Sequence, residues 1–255
     1  MKLMDFPGVL FLVSLIVFWL AARIGSALHR RQRDLKEEGE RDDFGLILGS
    51  TLTLLGLVIG FSFSMAISRY DLRKTYEEAE ANAIGTEYVR VDLFPTADAA
   101  KLHTLLGQYL DQRILFYNAP RNAEGVAEIN ATTARIQNEL WSAILPAAAA
   151  QPNPVNALVV AGMNDVLNSQ GYTQAAWWNR IPTGAWLLLF HIAICANLLL
   201  GYYLHAPHRK KVLLLIFPLI LAISFFLIAD IDSPRGGMIR VRPQNLISLS
   251  QSIHP

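Results

Sequence analysis

Four long apolar runs limit what this chain can fold into more than any other feature of its sequence. A bilayer's hydrocarbon core is about 30 Å thick, so a helix needs roughly 20 apolar residues to cross it. The first run extends from Phe6 to Leu28, with Arg23 near its end able to reach the headgroups. The second, Phe44 to Ser68, holds no charged residue. The third, Thr183 to Leu204, has Trp177, Trp178 and Trp186 at one end and Tyr202 and Tyr203 at the other, as in an interfacial aromatic belt. The fourth, Val212 to Ala229, contains Pro218, where a kink is expected. No small-x-small cleavage site precedes the basic cluster after the first run, which therefore reads as an uncleaved anchor. Four crossings follow, and membrane lipid becomes an obligatory partner.

Of the 255 residues 53% are hydrophobic and 17% charged, whereas soluble domains carry about a quarter charged residues. A formal net charge of +1 argues against nucleic acid as a partner. The single cysteine, Cys195, lies in an apolar run, so no intrachain disulfide and no thiolate metal site can form. There is no Gly-x-Ser-x-Gly elbow, phosphate loop or His-Glu-x-x-His motif, so neither an enzyme nor a cofactor is expected. His191 is the only ionisable residue central to a span. A lone histidine cannot make a bis-histidine haem site, and a neutral ring bonded to a neighbouring helix is the expected role.

Between the second and third runs the apolar residues recur at helical spacing. The stripe Tyr76, Ala79, Ala83, Ile84, Tyr88, Val91 continues the second run as far as Pro95, giving one helix of about 50 residues. A second helix is expected from Thr96, capped by its hydroxyl, with Leu102, Leu105, Tyr109 and Phe116 on one face. Pro120 interrupts, and a third helix carries Ile129, Ile136, Leu140 and Ile144 up to Leu145-Pro146. A fourth stripe reads Val155, Val159, Met163, Val166, with Pro182 at the joint to span three. The fold class is all-α: four transmembrane helices, with a helical soluble stalk between spans two and three. The expected divisions are 1–68 for the first two spans, 69–180 for the soluble domain, 181–231 for the last two spans and 232–255 for a tail.

Span two is the most informative segment. Gly45 and Gly49, then Gly56, Gly60 and Ser64, recur at four-residue steps and line one face, which lets helix backbones approach closely in a membrane. That face serves either packing within the chain or contacts between subunits. Leu55, Ile59 and Phe63 form a second stripe, which is either core or lipid surface, or the hydrophobic neck of a pore. Ser50, Thr51 and Thr53 can bond backbone carbonyls of their own helix. Below the span, Arg69, Asp71, Arg73 and Lys74, with Glu77, Glu78 and Glu80 after them, are either a solvated helix face or a charged pore mouth. Asp230 and Asp232 form an acidic pair on the tail, a weak cation site at most.

Loop charge bears on orientation. Arg23, Arg30, Arg31, Arg33, Lys36 and Arg41 lie in the first loop, and His208-Arg209-Lys210-Lys211 mark the third. Counted this way both loops are cytoplasmic, which puts the soluble domain on the periplasmic side of a bacterial inner membrane. Arg69, Arg73 and Lys74 after span two, and Arg235, Arg240 and Arg242 after span four, pull the other way.

The run Leu57-Val58-Ile59-Gly60-Phe61-Ser62-Phe63-Ser64-Met65-Ala66-Ile67-Ser68-Arg69-Tyr70-Asp71, with Glu80-Ala81-Asn82-Ala83-Ile84-Gly85-Thr86 after it, resembles the bestrophin-like family of bacterial four-pass membrane proteins. The segment Ile228-Ala229-Asp230-Ile231-Asp232-Ser233-Pro234-Arg235-Gly236-Gly237 is also similar to that family, and the resemblance covers nearly the whole chain. It implies distant kinship with bestrophins, which are pentameric ion channels. Their second span lines the pore, and their apolar neck would fall on Leu55, Ile59 and Phe63. Their Ala-Ser-Tyr-Asp-Arg-Trp-like run would fall on Ser68-Arg69-Tyr70-Asp71-Leu72-Arg73. Departures are the missing aromatic after the Tyr-Asp pair, the lack of an acidic calcium clasp, and a soluble domain that bestrophins keep in the cytoplasm. The leading expectation is thus a homo-oligomeric channel for small inorganic ions. Its rival is a non-conducting scaffold or sensor whose stalk binds a ligand or partner.

Overall fold

The computed structural model describes residues 3–31, 39–119, 123–150, 152–204 and 212–253. All regular structure among them is helical: α1 (Pro7–Arg31), α2 (Gly39–Arg90), α3 (Thr96–Asn118), α4 (Ala123–Ala150), α5 (Pro154–Trp178), α6 (Thr183–Tyr203), α7 (Leu213–Asp232) and α8 (Gln244–Ile253). Among the described residues four helical stretches, which include α1, α2, α6 and α7, are long and apolar enough to cross a membrane. As the apolar stripe requires, α2 runs 52 residues without a break. The chain divides into two compact units, Met1–Ser68 with Arg180–Ile239, and Arg69–Asn179 with Arg240–Pro255.

In the first unit α1 packs against α6 and α7. Phe18 sits at the centre, with the Phe225 ring 5.2 Å and the Phe190 ring 5.8 Å away. Two glycines let α1 and α6 touch backbone to backbone. A Cβ on Gly25 would lie 1.9 Å from the Leu198 carbonyl oxygen, and one on Gly201 would lie 2.0 Å from that of Ala22. No side chain larger than hydrogen fits at either place. At the foot of this unit Asp232 gathers the chain. It accepts from Arg180 Nε at 2.9 Å and from the Ile181 amide at 3.2 Å, while Arg180 Nη1 reaches Asp5 at 3.0 Å. Asp230 accepts from the Met238 and Ile239 amides, both at 2.8 Å, and so shapes the turn after α7.

The second unit is built on the apolar stripes of its helices. Ile84, Val91, Leu102, Leu106, Tyr109, Phe116, Ile136, Leu140, Ile144, Val159, Met163, Val166 and Leu246 form one core. Asn153 begins α5 by accepting the Asn156 amide at 2.8 Å, with Pro154 in the first helical turn.

Several local expectations are corrected. Thr96 does not cap α3: Pro95 holds the cap position and no side chain bonds there. Helix α4 does not stop at Leu145-Pro146 but continues through Pro146 to Ala150. Trp177 and Trp186 are no interfacial belt. Trp177 packs in the second unit's core on Phe116 at 4.9 Å, Trp186 is buried beside Phe225, and only Trp178 is open, at 75% exposure. Each of the two buries its ring against other aromatic side chains. His191 bonds the Leu187 carbonyl of its own helix at 2.7 Å, not a neighbouring helix. Asp230 and Asp232 are buried and engaged by backbone amides and Arg180, and among the described residues no acidic or histidine cluster suited to a metal is present. Pro120 and the basic residues Arg33, Lys36, Arg209, Lys210 and Lys211 lie outside the described residues.

Candidate functional site

The apolar window of α2 is covered less by its own chain than any other span. Only 11% of it is buried, against 33% for α1 and 50% for α7. The side chains that do pack inward are Leu48, Leu55, Ser62 and Ala66, at seven- and four-residue steps. The neck stripe therefore splits: Leu55 is 2% exposed, Ile59 half-buried and Phe63 37% exposed. The cause is angular. Each step of four residues turns a helix by about 40° beyond a full circle, so a stripe that begins on the packed face leaves it within two steps. Leu55 is buried within the chain, and Ile59 and Phe63 lie at the edge of the open surface.

The glycine face is fully open. A Cβ added at Gly45, Gly49, Gly56 or Gly60 would meet nothing within 4 Å, and Ser64 is exposed. Among the described residues nothing packs against these glycines, whereas the close contact of α1 with α6 uses Gly25 and Gly201. Ser50, Thr51 and Thr53 bond the carbonyls of Leu46, Ile47 and Gly49 on their own helix, so they present little free polarity.

The charged segment after the span is divided: Asp71, Lys74 and Glu78 are exposed, whereas Arg73, Glu77 and Glu80 are buried. Asp71 is exposed, and Arg69 Nε donates to Asn179 Oδ1 at 3.3 Å. Arg73 is buried and donates to the Ala176 carbonyl at 3.3 Å and the Asn179 carbonyl at 3.4 Å, at the C-terminal end of α5. Of the three residues expected at a pore mouth, Arg73 is thus committed to the interior, because unpaired helix carbonyls draw a cation. Glu77, one turn on, accepts from the Asn245 and Leu246 amides at 2.9 and 3.0 Å and closes the N-terminus of α8. Glu80 pairs with Arg113, both fully buried, and also accepts from Tyr117 Oη at 3.2 Å and Thr173 Oγ1 at 3.1 Å. Burial alone would favour a neutral Arg113 side chain, but Glu80 reverses this and holds its pKa above the ordinary value. Burial, then the Glu80 charge, pushes the Tyr109 and Tyr117 phenols well above their usual range.

These buried charges were legible as charges on one helix but not as a ladder. Arg73, Glu77, Glu80, Ile84, Glu87 and Val91 follow three- and four-residue steps, the spacing of a packed face. That spacing was the available signal.

No curated protein matches the chain. Solved structures do. A bacterial bestrophin homolog from Klebsiella pneumoniae phased on zinc superposes with a TM-score of 0.66 at 15% identity, covering 95% of each chain. A tyrosine-to-alanine variant of a bacterial bestrophin homolog from the same organism gives 0.66 at 15% identity, over 94% of this chain and 99% of that one. A glycine-to-alanine variant described only as a membrane protein gives 0.67 at 14% identity, over 95% and 96%. At such identities the likeness is one of fold, and it extends over both units. The profile of the Bestrophin-like domain matches residues 8–246, and the chain belongs to the Bestrophin-like family.

Proposed function

We propose that this chain assembles into a closed ring of identical subunits, five in number, and conducts small inorganic ions through an axial pore lined by α2. The observation that carries this reading is the coverage of α2: 11% of its apolar window is buried by its own chain, and its glycine face meets nothing. Lipid would accept any apolar surface, whereas a row of glycines is selected only where a second backbone comes close. Gly56, Gly60 and Ser64 then belong to the contact between subunits. Ile59 and Phe63 give the neck its surface with Leu55 behind them, and Arg69 and Asp71 lie at the mouth. A ring of such apolar side chains excludes water and raises the barrier to ions when closed. Family membership adds kinship with channels, and the solved bestrophin homologs share the fold.

The loop charges favour a periplasmic soluble domain in a bacterial inner membrane, and bestrophin kinship favours the cytoplasm. Glu128 is exposed on α4. A Glu128→Cys change in a Cys195→Ser background, labelled on intact cells with an impermeant thiol reagent, decides between the sides. Labelling supports the charge count; protection until lysis overturns it.

Purified protein in planar bilayers tests the main proposal. Unitary current steps are expected from a species that native mass spectrometry identifies as a ring. A ring that gives no current would instead favour the scaffold or sensor reading.

A further inference from the structure

Three glutamates of α2 are buried in the second unit. Glu77 and Glu80 have donors, as described above. Glu87 differs: it is fully buried, and neither of its carboxyl oxygens has a hydrogen-bond partner. It is pressed onto α5 where that helix has no side chain. A Cβ on Gly162 would lie 2.0 Å from Glu87 Oε2 and 2.7 Å from Arg90 Nη1. The carboxyl therefore fills the space that Gly162 leaves. Two charges face it, Arg90 from its own helix and Asp165 from α5, and they oppose each other. Asp92, in the turn after α2, is engaged by His103 Nε2 at 2.8 Å.

An ionised carboxylate without donors in such a place is costly, and the neutral acid much less so. Burial is the dominant influence and pushes the Glu87 pKa from 4.5 to about 8, with Arg90 lowering it and Asp165 raising it. We propose that Glu87 is a proton-operated latch, which keeps α2 closed on α5 at Gly162 while it carries a proton and releases that contact when the proton leaves. The charged form needs hydrogen-bond donors, and the closed contact gives neither oxygen one.

The sign follows from linkage. A carboxyl whose folded pKa lies above its unfolded value contributes most at pH below about 4.5, and that contribution falls as pH rises through about 8. Alkalinity opens the latch.

The test uses the full chain in nanodiscs and compares wild type with Glu87→Gln, which is uncharged at every pH. Hydrogen–deuterium exchange of segments 84–91 and 159–166 is followed from about pH 6 to pH 9 and corrected for the intrinsic exchange rate. In wild type, opening of both segments should rise by up to about tenfold per pH unit from pH 6 and level off above about pH 8, while the variant stays flat. Equal behaviour of the two proteins would overturn the proposal. Infrared difference spectra of wild type alone give a second reading that does not depend on the variant folding. Loss of a protonated-carboxyl band between about pH 7 and 9 is expected, and the lack of any such band overturns the latch.

Discussion

Arg73 and Glu77 stand one turn apart on α2 and close the ends of two different helices, the cation at the C-terminus of α5 and the anion at the N-terminus of α8. Each charge matches the dipole of the end it meets. The pair explains why the final segment folds back into the second unit: the free amides of Asn245 and Leu246 need an acceptor, and Glu77 is buried among them.

Glu77→Ala leaves those amides without their acceptor, and the expected loss is about 1–3 kcal/mol. The loss should be local to α8. Hydrogen exchange in residues 244–253 should rise while exchange in α3 is unchanged. Uniform destabilisation of the whole unit would contradict the capping role.

The glycines separate two kinds of contact. Gly25→Ala and Gly201→Ala each place a Cβ about 2 Å from a carbonyl oxygen of the facing helix, and overpacking of this kind costs about 1–3 kcal/mol. Both should lower the melting temperature of the protein. Gly56→Ala and Gly60→Ala face open space in the chain. They should leave the subunit intact and weaken assembly, read as a shift toward smaller species in native mass spectrometry. Lowered stability without any change in assembly would mean that the α2 glycines are not an intersubunit surface.

Much of this fold is legible in the sequence, and the part that is not has a common cause. The four spans follow from the length of the apolar runs, and the unbroken α2 and the core stripes Leu102-Tyr109-Phe116, Ile136-Leu140-Ile144 and Val159-Met163-Val166 from helical periodicity. The charges of α2 do not. Arg73, Glu77 and Glu80 read as surface because burial of a charge is rare without a partner, and their partners lie on α5, α8 and α3, far away in the chain. Trp177 reads as a boundary residue for the same reason: Phe116 and Tyr117, which enclose it, are some 60 positions earlier. Gly25 and Gly201 gave no signal because neither belongs to a row of glycines at helical spacing: the other glycine of each run, Gly8 or Gly184, is 17 positions away.

The Glu80–Arg113 pair is fully buried. Removing one partner strands the other charge, so Arg113→Met should cost about 3–5 kcal/mol, and Glu80→Gln in the same background should recover a substantial part of it. Chemical denaturation of the two variants and their combination measures this. A double variant as unstable as the sum of the singles would show that the two groups are not coupled.

The proposal that α2 lines a pore stands or falls on liposomal ion flux measured beside thermal stability for the combined change Ile59→Ala and Phe63→Ala. Phe63 is 37% exposed and Ile59 half-buried in the subunit, so truncating them should widen an axial neck and raise basal flux several-fold, with the ring intact. Side chains that were merely core would respond otherwise, with a loss of about 2–5 kcal/mol per site and no gain in flux. Raised flux at a nearly unchanged melting temperature is the predicted result; unchanged flux with a lowered melting temperature would contradict it.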